Sequence, residues 1–129
     1  MSEQARPAIG SIGWVDLTVS DAPGVRDFYA AVTGWKPAPV AMGEYSDYTM
    51  SEPESGKSAA GVCHARGDNA DLPAQWLVYV IVASLEGSLS ECRARGGVVV
   101  AGPKTMGHGA HFAVIRDPAG AVLALYQAA

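Results

Sequence analysis

Cysteine is nearly absent: Cys63 and Cys92 are the only two in 129 residues, and no CxxC spacing joins them. That excludes a zinc ribbon, and both are read as small buried apolar residues. Basic residues are few and dispersed, nine Lys and Arg against thirteen Asp and Glu, for a formal charge of −4. With no cationic cluster, neither nucleic acid nor an anionic membrane is an expected partner. Long hydrophobic runs are missing as well, since the longest, Trp76 to Ala83, is too short to cross a bilayer. The opening MSEQARPAIG lacks the basic-then-apolar order of a signal peptide, so a cytoplasmic location is expected. No GxGxxG follows a strand pattern, no GxxxxGK[ST] loop cradles phosphate, and no GxSxG elbow carries a nucleophile. What is present is globular composition, 49% hydrophobic and 17% charged, at a length suited to one compact domain, 1–129.

Within that domain one pattern is used twice. IGWVDLTV, residues 12 to 19, alternates so that Val15, Leu17 and Val19 share one face and Trp14, Asp16 and Thr18 the other. SDAPGVRDFYAAVTGW then reads as a helix, with Ser20 or Asp21 as cap, Pro23 in the first turn and Gly34 as the left-handed stop. Val25, Phe28, Tyr29 and Val32 form its expected buried stripe. The order returns in WLVYVIV, Ser84 as cap, a helix over about 85–95, and Gly96-Gly97. Val19 to Val82, Asp21 to Ser84 and Gly34 to Gly97 share one constant offset, which implies an internal duplication.

After each helix come three β-like pieces: 36–41, 45–50 and 59–65, then 98–101, 111–116 and 121–126. Each half therefore reads βαβββ, module 1 over about 10–66 and module 2 over about 75–129, with a loop at about 67–74 between them. The predicted class is α+β, with helices on one face of the sheet and the other face lining a cavity or meeting a partner.

WVDLTVSDAPGVRDFYAAVTGW and the closing RDPAGAVLALY resemble the vicinal oxygen chelate superfamily, which includes glyoxalase I, bleomycin-resistance proteins, fosfomycin-resistance enzymes and extradiol dioxygenases. The resemblance covers nearly the whole chain. It implies two tandem βαβββ modules forming an open, curled mixed sheet with helices on the outer face, and a homodimer. In metal-dependent members it also implies His and Glu ligands from the first and fourth strands of each module. Those positions fall here on Trp14, Gly61, Leu77 and Ala124, none of which offers a donor atom. No metal site and no cofactor are therefore expected.

The face left without ligands is mostly apolar. Trp14, Asp16, Thr18, Gly61, Cys63, Leu77, Tyr79, Ala124 and Tyr126 are the candidate ligand-binding residues, with Ile81 beside them. Gly61 and Ala124 leave room, and Trp14, Tyr79 and Tyr126 offer flat surfaces for stacking. Asp16, Tyr79 and His111 are the candidate proton-transfer groups. His64 is expected on the helix side or in solvent, and His108 on a Gly-rich loop. The leading reading is a metal-independent protein that binds a small, partly aromatic or apolar organic molecule in the concavity. Two alternatives stand beside it: an enzyme of the same fold, either a metal-free isomerase or lyase or a metal enzyme with relocated ligands, and a protein-interaction module.

Overall fold

A computed structural model describes residues 8–129, the side chain of residue 68 apart; residues 1–7 of the decapeptide read for a leader lie outside it. The chain divides into two compact units. The N-terminal unit, Trp14–Trp76, holds most of β1 (Ile12–Val19), then α1 (Ala22–Thr33), β2 (Lys36–Ala41), β3 (Ser46–Ser51) and β4 (Ser58–His64), followed by a single 3-10 turn at Gly67–Asn69. The C-terminal unit takes residues 8–13 together with Leu77–Ala129, and holds β5 (Trp76–Ile81), α2 (Leu85–Ala94), β6 (Val98–Thr105), β7 (His111–Arg116) and β8 (Val122–Gln127). Both units have the βαβββ order read from the sequence.

In the N-terminal unit the strands lie in the order β2-β3-β4-β1, with β4 parallel to β1 and the other pairs antiparallel. The order in the C-terminal unit is the equivalent β6-β7-β8-β5, again with a single parallel pair, β8 beside β5. The duplication survives in the register: Asp16 pairs with Gly61 and Tyr79 with Ala124, so the offset that carries Asp16 to Tyr79 also carries Gly61 to Ala124.

Each helix starts as its sequence dictates. The Asp21 carboxylate accepts the Gly24 N–H at 3.1 Å, and Ser84 Oγ accepts that of Gly87 at 3.1 Å. Their ends differ. Gly34 closes α1 at φ 82, whereas the positive φ after α2, 93, belongs to Gly96 rather than to Gly97. The offset therefore slips by one residue at the helix stop. Gly97 is there for space: a Cβ on it would lie 2.5 Å from Cys92 Sγ and 3.1 Å from the Arg116 carbonyl oxygen.

The N-terminal core gathers Ala22, Met50 and Val62, with Val19, Val25, Tyr29, Trp35, Tyr48 and Trp76 packed against it. Trp76, the first residue of β5, is thus an anchor of the N-terminal unit, its indole N–H donating to the Tyr29 hydroxyl at 3.1 Å. The expected helix stripe is half right. Val25 and Tyr29 pack inward, but Phe28 and Val32 are 57% and 64% exposed. The sheet covers an arc centred near Ala22, and at about 100° per residue Phe28 lies some 120° away from it.

The C-terminal core is Leu85, Leu89, Ala113 and Leu125. Here β6 continues through Gly102-Pro103 to Thr105, beyond the predicted stop at Ala101. An edge strand tolerates a proline, and the pairing with β7 shifts register on either side of Ala101 to accommodate it.

Candidate functional site

Because α1 and α2 each cover one face of their unit's sheet, strand alternation assigns the side chains on the other. In the N-terminal unit these are Trp14, Asp16 and Thr18 on β1, Gly61 and Cys63 on β4, and Asp47 and Thr49 on β3; the registers Asp16 to Gly61, Thr18 to Cys63 and Thr49 to Gly61 put them side by side. The Trp14 indole lies across the space left by Gly61, where a Cβ would sit 3.4 Å from Cζ2, 3.5 Å from Nε1 and 3.2 Å from Asp16 Cβ. A Cβ at residue 61 would thus be in ordinary contact with the ring and tight only against Asp16 Cβ, which places Gly61, the Trp14 indole and Asp16 side by side.

Cys63 faces two carboxylates on this surface. Burial pushes its thiol far above the ordinary range, and the charges of Asp16 and Asp47, together with a hydrogen bond to Asp47, add to the effect. The thiol therefore stays protonated and is no nucleophile at neutral pH. Asp47, which the sequence reading missed although SDYTMS alternates in phase with its neighbours, is also the partner of His64. Its Oδ1 accepts the His64 backbone N–H at 2.9 Å and lies 3.2 Å from ring Nδ1. The imidazole meets the Tyr45 ring edge-on at 5.2 Å and lies tilted at 6.2 Å from the Tyr48 ring, so at the end of β4 it sits between side chains of both faces.

In the C-terminal unit the corresponding face carries Leu77, Tyr79, Ile81, Phe112, Val114, Ala124 and Tyr126, set by the pairs Tyr79 to Ala124, Ile81 to Tyr126 and Phe112 to Tyr126. The Tyr79 and Phe112 rings are 6.3 Å apart, and the Lys104 ammonium sits 5.6 Å from the Phe112 centroid. Phe112 and Lys104 also went unread in the sequence. HFAVIR shows no alternation in hydrophobicity, because β7 carries apolar residues on both faces, Phe112 and Val114 on one and Ala113 and Ile115 on the other.

Burial narrows the candidates. Thr18 is 4% exposed, Gly61 is buried, and Leu77 and Ala124 are fully buried, so these four present almost no surface. Trp14, Asp16 and Cys63 in one unit, and Tyr79 and Tyr126 in the other, keep part of theirs. Of the proton-transfer candidates, His111 lies on the helix side: it precedes Phe112 on β7 and lines a cavity with α2 residues, on the opposite side of the sheet from Tyr79. His108 sits exposed in the turn between β6 and β7, closed by the Met106 N–H donating to the Ala110 carbonyl at 2.7 Å; it is a tight hairpin, not an open loop.

A metal ion does not fit the positions that the fold would use. The observed register keeps Gly61 beside Asp16 and Ala124 beside Tyr79, so the fourth-strand positions are glycine and alanine and supply no ligand atom. Among the described residues no group of three or more His, Cys, Asp and Glu side chains is placed to hold a metal ion. No helix among them is long and apolar enough to cross a membrane.

Comparison with known proteins agrees with this architecture. The chain is 28% identical over 124 residues to a putative glyoxylase, CFP32, of Mycobacterium tuberculosis, covering 92% of this chain and 46% of that protein. It is 28% identical over 134 residues to the anthracycline biosynthesis protein DnrV of Streptomyces peucetius, covering 95% of this chain and 48% of that one. The chain thus spans about half the length of these curated relatives. Among solved structures, a Streptomyces coelicolor methylmalonyl-CoA epimerase in complex with 2-nitronate-propionyl-CoA superimposes with a TM-score of 0.59 at 15% identity, over 95% of this chain and 99% of the other, a likeness of fold. Residues 11–125 match the Glyoxalase/Bleomycin resistance protein/Dioxygenase superfamily, and the chain belongs to that superfamily.

Proposed function

We propose that this protein binds a small, partly aromatic organic molecule on the helix-free faces of its sheets, without a metal ion. The observation that carries the reading is the partly exposed Trp14 indole packed beside Gly61 and Asp16. A partly exposed aromatic surface with carboxylates beside it provides stacking area and orienting charge, the makeup of a small-molecule contact rather than of a core. The aromatic pair Tyr79 and Phe112 offers similar surface in the other unit. The raised pKa of Cys63 keeps its thiol protonated, which argues against thiolate chemistry on the N-terminal face. The anthracycline biosynthesis relatives favour a fused-ring aromatic ligand, and the epimerase neighbours suggest an acyl thioester as the comparison compound.

In this reading the chain acts in the cytoplasm, which two free thiols suit. It acts as a homodimer, to which the exposed Phe28 and Val32 offer an apolar contact surface. Calorimetric titration with an anthracycline and with methylmalonyl-CoA, on the wild type and on Trp14→Ala and Asp16→Asn, tests the binding. Saturable binding of the fused-ring compound that weakens at least tenfold in Trp14→Ala supports the proposal. Binding of neither compound, or equal binding by wild type and Trp14→Ala, rejects it; conversion of either would move the protein to the enzymes of its superfamily. Light scattering tests the dimer.

A further inference from the structure

On the helix side of the C-terminal unit, a cavity of about 450 Å³ opens between α2 and the ends of β6, β7 and β8. Leu85, Leu89 and Pro103 form its apolar wall, and four polar side chains complete the lining: Glu86 and Arg93 from the helix, His111 and Gln127 from the sheet. Its size is that of a small-molecule site.

The polar groups are oriented rather than scattered. Gln127 is fixed because its Oε1 accepts the Leu85 N–H at 2.7 Å, which leaves the amide NH₂ as a donor. His111 Nδ1 lies 3.1 Å from Thr105 Oγ1, which holds the ring and leaves Nε2 for another partner. Arg93, unlike Arg26 and Arg95, is not tied to a carboxylate among the described residues. The helix dipole accounts for an acid in the first turn of α2 and a base in the last. It does not account for the two fixed sheet side chains lining the same cavity.

A guanidinium with no carboxylate partner among the described residues, an anchored amide NH₂ and a held imidazole beside an apolar wall are donors suited to an oxyanion with a hydrocarbon body. Charge decides which one. With Arg93 the single full positive charge and Glu86 opposing it, a dianion such as phosphate is disfavoured and a monoanion is not. We propose that this cavity binds a small organic monocarboxylate, its carboxylate on Arg93 and its carbon chain on Leu85, Leu89 and Pro103. The site is independent of the ligand face. His111 and Gln127 adjoin Phe112 and Tyr126 in sequence, but their side chains point the other way.

Sodium isobutyrate titrated into ¹⁵N-labelled protein tests this directly, with inorganic phosphate as the comparison anion. Saturable amide shifts confined to α2, His111 and Gln127 are expected, with phosphate at least tenfold weaker. Arg93→Met, which keeps the stem and removes the charge, should weaken isobutyrate tenfold or more with the spectrum otherwise unchanged. Glu86→Gln should strengthen it. Shifts that stay linear with concentration, phosphate binding as tightly as isobutyrate, or unchanged affinity in a folded Arg93→Met would each overturn the assignment.

Discussion

Gly97→Ala isolates the packing that joins α2 to its sheet. The added methyl would sit 2.5 Å from Cys92 Sγ and 3.1 Å from the carbonyl oxygens of both Cys92 and Arg116. The sulfur can turn away, at about 0.5–1.5 kcal/mol for an off-rotamer angle. The two carbonyls belong to a helix and a strand and have little room to yield. Overpacking of this kind costs about 1–3 kcal/mol, and the loss of glycine's freedom in the unfolded chain returns about 0.4–1 kcal/mol. A net destabilisation of about 1–2 kcal/mol is expected, read as a lower urea midpoint at unchanged slope. Adding Cys92→Ala should recover only the sulfur's share, so the double-mutant cycle should show a coupling of about 0.5–1 kcal/mol. Gly34→Ala is the contrast: nothing lies within 4 Å of its added methyl, and its cost comes from φ 82 alone, about 1–2 kcal/mol with no coupling to any side chain. A Gly97→Ala protein as stable as wild type, or a cycle with no coupling, would refute this account of why two glycines follow α2.

Three other outcomes follow from particular contacts. Trp76→Ala should destabilise the N-terminal unit by about 3–5 kcal/mol, because the indole packs against Tyr29 and Trp35 at ring separations of 5.1 and 5.8 Å; near-ultraviolet dichroism during urea unfolding checks it. Asp21→Ala should cost about 1 kcal/mol through the lost cap on Gly24, seen as a lower thermal midpoint. The Cys63 thiol has its pKa raised by folding, so its contribution to stability is complete below the unfolded thiol value of about 8.5 and is lost as pH climbs above it. Stability measured from pH 7 to 10 should therefore fall less steeply in Cys63→Ala, and native Cys63 should alkylate more slowly than the free unfolded thiol at pH 8.

The element order was legible because it rests on local signals: alternation in IGWVDLTV, caps at Asp21 and Ser84, and glycines after each helix. The repeat offset was legible as well, and the Asp16 to Gly61 and Tyr79 to Ala124 registers bear it out at the strands. It failed at Gly97, where spacing alone cannot separate a glycine needed for its φ from one needed for its size. Phe28 and Val32 were placed inward because hydrophobicity gives the width of a helix's apolar arc but not how much of it a four-stranded sheet can cover. His111 stood among the proton-transfer candidates without a face, because the phase of β7 cannot be read from HFAVIR, apolar on both sides. Asp47 was missed for a different reason: its partners Cys63 and His64 lie across a strand pair whose register no local pattern supplies.

The two modules share one backbone register while their helix-free faces differ in chemistry. Where the N-terminal unit has Asp16 paired with Gly61 and an acid beside Cys63, the C-terminal unit has Tyr79 paired with Ala124 and a second ring at Phe112. Small residues stand at the corresponding fourth-strand position in both units. A Glu there would need a partner for its charge in a place that is buried in both, Gly61 in one and Ala124 at 0% exposure in the other. Burying such a carboxylate without a cation costs several kcal/mol or forces its protonation. With no metal ligand at the first-strand positions Trp14 and Leu77, a small residue at the fourth is the arrangement that leaves no unpaired charge. The space released at Gly61 is taken by the Trp14 ring rather than by solvent. Aromatic surface stands where the superfamily's metal-dependent members would carry donors, and the proposed function therefore looks to stacking and to Asp16 at this face.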